Sequence, residues 1–219
     1  MITLGVLVSG GGTNLQAVLD AIAAGRLDAR VAVVVSNVAS AGGLARAQAA
    51  GIETVVLDHR TFDGRAAFDA AVVDVLRARG VELVVLAGFM RIVTRTLLDA
   101  FPMRVVNVHP ALLPAFPGVD GQGQALRYGV RIAGCTVHLV DAGTDTGPIL
   151  AQAAVPVLPG DDEAALRARI LVQEHALLPM VLQWFAEGRV EVTPPGGGEG
   201  GAARARVVVR DAVTALGLR

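Results

Sequence analysis

Short apolar runs alternate with segments of helical spacing along the first half of the chain, and that alternation leaves few folds open. The runs are Ile2–Val8, Val31–Val35, Thr54–Leu57 and Leu83–Leu86, each short enough for a buried strand and too short for a helix. Between them Leu15, Val18, Leu19 and Ile22 recur at the spacing of one helix face. Leu44–Ala50 reads as a second helix closed by Gly51, and Phe68, Val72, Val75 and Leu76 mark a third that ends at Gly80. Strands joined through helices run parallel. The expected fold is therefore α/β, a doubly wound, mostly parallel, Rossmann-like sheet with helices on both faces. Such sheets take ligands at the carboxyl ends of their strands. The turns that follow the strands are thus where chemistry is expected.

The first of these turns is Ser9-Gly10-Gly11-Gly12-Thr13-Asn14, between a strand and a helix. Backbone N–H groups at a positive helix end suit a phosphate, although the same glycines also serve a plain tight turn. No Gly-Lys-Ser/Thr is present, so this is not a nucleoside-triphosphate loop. Leu15 stands where a dinucleotide fingerprint needs its last glycine, and no acidic residue follows Val31–Val35. A monophosphate fits better than a dinucleotide.

A later strand end, Val105-Val106-Asn107-Val108-His109-Pro110, carries two polar side chains. Pro110 forces the chain out of the ladder, since proline has no N–H to donate. Asn107 and His109 are two residues apart and share one face of an extended chain. A neutral donor beside a titratable imidazole can polarise a carbonyl and stabilise the oxyanion formed on attack. A histidine that merely caps a loop is the plainer alternative.

Farther on, a short helix Gln122–Tyr128 precedes a strand Ile132–Val140, and Ile149–Val157 reads as a strand returning from the loop Asp141-Ala142-Gly143-Thr144-Asp145-Thr146-Gly147-Pro148. The two carboxylates of that loop are either turn formers or functional groups. A long amphipathic helix, about Asp162 to Ala186, packs Leu166, Ile170, Leu177, Val181 and Phe185. Gln173-Glu174-His175 interrupts its pattern, which a solvated face would also explain. Pro194-Pro195-Gly196-Gly197-Gly198 reads as a flexible insert between Arg189–Val192 and Arg206–Val209. The expected organisation is one domain over residues 1–193 and an appendage over 194–219, with a hairpin to 189–192 as one arrangement of it.

Composition narrows the function. Net charge is −1 with no block of like charge, which argues against nucleic acid and membrane surfaces as partners. The lone Cys135 excludes an intramolecular disulfide and a cysteine-built metal site. No secretion leader and no apolar run of membrane-spanning length is evident, so a soluble cytoplasmic protein without a metal is expected.

The motifs Ser9-Gly10-Gly11-Gly12-Thr13-Asn14-Leu15-Gln16, Leu86-Ala87-Gly88-Phe89-Met90-Arg91, Asn107-Val108-His109-Pro110-Ala111-Leu112-Leu113-Pro114, the His138-to-Pro148 loop and Gln173-Glu174-His175 occur in a familiar order and spacing. By them the chain, over about residues 2 to 193, resembles the glycinamide ribonucleotide transformylase (phosphoribosylglycinamide formyltransferase) family of folate-dependent formyltransferases. The resemblance implies transfer of a formyl group from 10-formyltetrahydrofolate, as co-substrate, to the amine of glycinamide ribonucleotide in purine (IMP) synthesis, by a monomer or homodimer. It implies a catalytic set of Asn107, His109 and Asp145. Gly12, Thr13 and Asn14 would hold the substrate phosphate, with Gln173 and Glu174 at the ribose. Arg65, Met90, Arg91, Ile92, Val93, Asn107, Asp141 and Asp145 would line the folate pocket.

One stretch departs from the family pattern. Many members carry one or two histidines just past Pro117-Gly118, where this chain has Val119-Asp120-Gly121-Gln122. His59 and His138 have no expected role. Among related activities, a deformylase that hands the formyl group to water would be expected to carry a further N-terminal domain. A methionyl-tRNA formyltransferase would carry a basic C-terminal one.

Overall fold

The computed structural model describes residues 1–193, 205–211 and 215–216. The chain divides into two compact units, Met1–Asn107 and Val108–Arg219. In the first, β1 (Ile2–Val8), β2 (Ala29–Ser36), β3 (Thr54–Val56), β4 (Leu83–Leu86) and the start of β5 (Val105–His109) lie in the order β3-β2-β1-β4-β5. Every pairing among them is parallel. Between the strands run α1 (Thr13–Ala23), α2 (Gly42–Ala49), α3 (Gly64–Arg77) and α4 (Arg95–Ala100). All seven residues of β1 are buried, the signature of a strand covered on both faces. The apolar stripes expected for the helices are realised in part: Leu15 and Val18 of α1, and Phe68, Val72 and Leu76 of α3, are buried, while Leu19, Ile22 and Val75 are half-buried.

The second unit continues from the last residues of β5 through α5 (Gly121–Tyr128), β6 (Ile132–Leu139), β7 (Ile149–Pro156) and α6 (Glu163–Ala186). The end of β5 stands beside β6, then come β7 and β10 (Ala215–Leu216). β7 returns antiparallel to β6, whereas β10 adds parallel to β7. The sheet is mostly parallel, in the α/β class expected. α6 packs on β6 and β7. Its N-terminus is set by Asp162, whose carboxylate accepts the N–H of Ala165 at 2.8 Å.

Most boundaries fall within two residues of those read from spacing; α3 ends at Arg77, three residues before Gly80, and α4 and β10 were not read. α4 is only six residues long and buries Leu97, too little periodicity to be read locally. β8 (Val190–Thr193) pairs antiparallel with β9 (Arg206–Val209). The glycine-rich insert between them, residues 194–204, and much of the expected appendage lie outside the described residues. Among the described residues no helix is long and apolar enough to cross a membrane.

Candidate active site

In the first unit the glycine loop is built for close approach. Gly12 is the N-cap of α1 at φ 71°, ψ 29°, a left-handed conformation that favours glycine. A side chain there would also run into the backbone of Gly43 at the start of α2. Gly12 supplies no side-chain cap and the first turn of α1 carries no acidic residue, so the positive helix end is not neutralised locally. α2 braces the loop: Gly43 N–H donates to the Gly10 carbonyl at 3.0 Å, and Arg46 Nε donates to the Gly11 carbonyl at 2.8 Å. Arg46 also reaches Gln16 Oε1 at 3.3 Å. This guanidinium was not marked by any motif, because it belongs to another helix. Thr13 is half-buried and Asn14 buried.

The turn after β4 presents Met90 and Ile92 to solvent, 77% and 55% exposed, while Val93 is buried. The Arg91 guanidinium lies 4.9 Å from the centroid of the Phe68 ring, which contacts Phe62 edge-on and stacks on Phe89. Arg65, one turn before Asp69 on α3, is exposed. His59 Nδ1 stands 3.4 Å from Asn37 Nδ2, so this histidine is tied to the end of β2.

In the second unit His109 and Asp145 are brought together. Asp145 holds a left-handed φ of 53° in the β6–β7 loop, and its Oδ2 lies 3.4 Å from His109 Nδ1. The same oxygen accepts the N–H of Gly118 at 2.8 Å. His109 is 4% exposed. His138, from β6, places Nε2 3.7 Å from the other oxygen of Asp145. Burial lowers the pKa of His138 below its ordinary value; a carbonyl bond and the charge of Asp145 act in the opposite direction. This third member of the cluster was missed in the sequence, although alternation along β6 puts it on the same face as Thr136. Asp141 behaves otherwise, turning its loop by accepting from Gly143 N–H at 3.0 Å and Thr146 hydroxyl at 2.6 Å. Asn107 is half-buried, two residues before His109 in β5.

Buried Thr136 fixes the turn that follows His109. Its hydroxyl donates to the Ala111 carbonyl at 2.7 Å and accepts the Leu113 N–H at 3.0 Å, and Gln152 bonds both Thr136 and the Leu113 carbonyl. The stretch that departs from the family pattern serves as a helix start. Asp120 is the N-cap of α5, accepting from Gly123 N–H at 3.2 Å and Arg127 at 3.0 Å. Gly121 then passes so close to His109 that a Cβ there would lie 3.4 Å from Nε2.

Glu174 is not on a solvated face. It is 6% exposed, in the same stripe as Ile170 and Leu177, and its charge adds to burial in pushing the Cys135 thiol up to about 12. Its spacing from Ile170 and Leu177 was the signal for this in the sequence. Gln173 is half-buried. Among the described residues no three His, Cys, Asp or Glu side chains are gathered as a metal site needs.

The family model described as formyl transferase matches residues 3–182. Phosphoribosylglycinamide formyltransferase of Escherichia coli is 43% identical over 187 residues, 85% of this chain and 88% of that protein. The trifunctional purine biosynthetic protein adenosine-3 of Drosophila pseudoobscura pseudoobscura is 47% identical over 84% of this chain, which spans only 14% of that much longer protein. Its Drosophila melanogaster counterpart is 45% identical over 86% of this chain, which again spans 14% of that protein. The crystal structure of glycinamide ribonucleotide transformylase 1 from Symbiobacterium toebii superimposes with a TM-score of 0.89 at 52% identity, covering 96% of this chain and 95% of that one.

Proposed function

The chain belongs to the formyl transferase family, and on that premise we propose that it transfers the formyl group of 10-formyltetrahydrofolate to the amine of N1-(5-phosphoribosyl)glycinamide, a step of purine synthesis. The observation that carries this reading is the buried His109–Asp145 pair at the end of a sheet strand, with 3.4 Å between Nδ1 and Oδ2. The substrate amine attacks the formyl carbon and negative charge grows on the formyl oxygen. Asn107 and His109 donate to that oxygen, where fixed donors act most strongly on the transition state. Asp145 orients the imidazole, its Oδ2 lying 3.4 Å from Nδ1. The intermediate then collapses: the bond from formyl carbon to the folate nitrogen breaks, and the amine gives up a proton that ends on that nitrogen. Asp145, His109 or a bound water carries it. The products are the formylated ribonucleotide and tetrahydrofolate.

Binding roles follow the same proposal. Gly12, Thr13 and Asn14 hold the phosphate at the α1 N-terminus, aided by the local positive end of the helix. Glu174, with Gln173, accepts from the ribose hydroxyls. Arg65, the Met90–Val93 turn, Asn107, Asp141 and Asp145 line the folate pocket, with backbone groups reading the pterin edge. The test is a formyl-transfer assay with both substrates beside a water-only control. Formylated ribonucleotide as the product supports the reading; tetrahydrofolate and formate released at equal rate without ribonucleotide would identify a deformylase.

A further inference from the structure

The Met90–Val93 turn exposes apolar side chains yet is held at both ends by polar groups that have so far had no function. At its entry the Met90 N–H donates to Ser9 Oγ at 2.9 Å, and Ser9 Oγ donates in turn to Asn37 Oδ1 at 2.6 Å. The Ser9 N–H donates to the Gly88 carbonyl at 3.1 Å, so one residue grips the turn twice. At the exit, Asp69 Oδ2 accepts both the N–H and the hydroxyl of Thr94, at 2.5 and 2.7 Å. Ser9 comes from the β1 end and Asp69 from α3, both within the first unit.

We propose that Ser9 and Asp69 are positioning residues for the formyl donor, preforming the Met90–Val93 turn on which the donor's ring system is read. The proposal rests on the transformylase reading and names what orders its folate side. A ligand read by backbone groups binds well only where that backbone is already ordered, because any ordering on binding is subtracted from affinity. Met90 and Ile92 contribute little burial to hold the turn, so beside buried Val93 and the Arg91–Phe68 contact its shape depends on its two ends. Asp69 is an unusual choice for stability alone. It is 3% exposed, and burial raises its pKa against the opposing effects of the Thr94 hydrogen bonds and the charges of Arg91 and Arg65. The cations that act on it are the two arginines assigned to the folate pocket. One carboxylate thus fixes the exit of the turn and supplies a nearby counter-charge to Arg91 and Arg65.

The test uses the whole chain and two separate titrations, with tetrahydrofolate and with glycinamide ribonucleotide. Thr94→Val removes one hydrogen bond and keeps the backbone one, whereas Thr94→Ser keeps both. Asp69→Asn keeps the shape and removes the charge, and Ser9→Ala releases the other end. Thr94→Val, Asp69→Asn and Ser9→Ala are each expected to weaken tetrahydrofolate binding by about five- to tenfold. The ribonucleotide constant should stay within about twofold for Thr94→Val and Asp69→Asn, and kcat at saturating donor should do likewise. Thr94→Ser should bind as wild type. Unchanged tetrahydrofolate affinity in Thr94→Val and Asp69→Asn, or equal loss of both ligands, would overturn the proposal while leaving the transformylase reading intact. A wild-type protein that binds ribonucleotide but no tetrahydrofolate would overturn both.

Discussion

His109 Nε2 lies 2.9 Å from the carbonyl oxygen of Phe116. A carbonyl only accepts, so Nε2 carries a proton in this geometry, while Nδ1 faces a carboxylate oxygen of Asp145. In the proposed reaction Nε2 is the nitrogen that the developing oxyanion meets, and the Phe116 carbonyl occupies it in this structure. The same stretch is tied to Asp145 through the Gly118 N–H.

Removing either side of the pair should act on turnover. His109→Ala or Asp145→Asn is expected to lower kcat by about 10²–10⁴ with a smaller change in substrate KM, since both act on the charged transition state. Steady-state kinetics with both substrates checks this. Wild-type turnover in either variant would remove these residues from the catalytic set.

The glycine loop separates into a constrained and an open position. Gly12→Ala places a Cβ against Gly43 at a left-handed φ, and should cost about 1–3 kcal/mol of stability. At Gly11 nothing stands within 4 Å of the added carbon, so Gly11→Ala should stay within about 0.5 kcal/mol of wild type. Urea denaturation of the two variants distinguishes them. Equal stability would mean that the Gly43 contact is not what holds Gly12.

Glu174 is buried, so truncation to alanine would mix a cavity with any lost ligand contact. Glu174→Gln keeps the volume. It should raise the ribonucleotide KM by about tenfold, as a charged acceptor is replaced by a neutral one, with the folate KM unaltered. Ribonucleotide affinity equal to wild type in this variant would end the ribose assignment.

The Cys135 thiol, pushed up to about 12 first by burial and then by the Glu174 charge, should be inert in the folded protein. At pH 8 a group with that pKa is thiolate in about one molecule in ten thousand. A disulfide reagent should label it only after denaturation. Labelling of the native protein at the rate of a free thiol would show that β6 opens far more readily than its packing implies.

His138 supplies a pH dependence of fixed sign. Burial depresses its folded-state pKa below 6.5, so the neutral form is the one that the fold accepts. The associated stability is present above the unfolded pKa and is lost as pH falls through the lower folded value. Melting temperatures taken between pH 7.5 and pH 5 should fall for wild type and fall less for His138→Gln. Parallel curves for the two proteins would contradict this.

The element order, the parallel first half and the buried stripes of α1, α3 and α6 could be read from spacing alone. In a helix or strand, chain geometry decides which residues share a face. The turns at strand ends were legible for the same reason, and with them Gly12, Asn107 and His109. Glu174 was legible in part: its spacing from Ile170 and Leu177 put it in the buried stripe, yet a charge in mid-helix reads more readily as solvated. The partners were not legible. That Asp145 faces His109, that His138 joins them, and that Arg46 braces the glycine loop depend on how separate elements pack. So does α4, whose N-cap residue Thr94 is held by Asp69 from another helix. Periodicity is set by bonds along the chain and is written in consecutive residues. Encounters between side chains distant in sequence are set by the close packing of whole elements, and only the folded structure decides them.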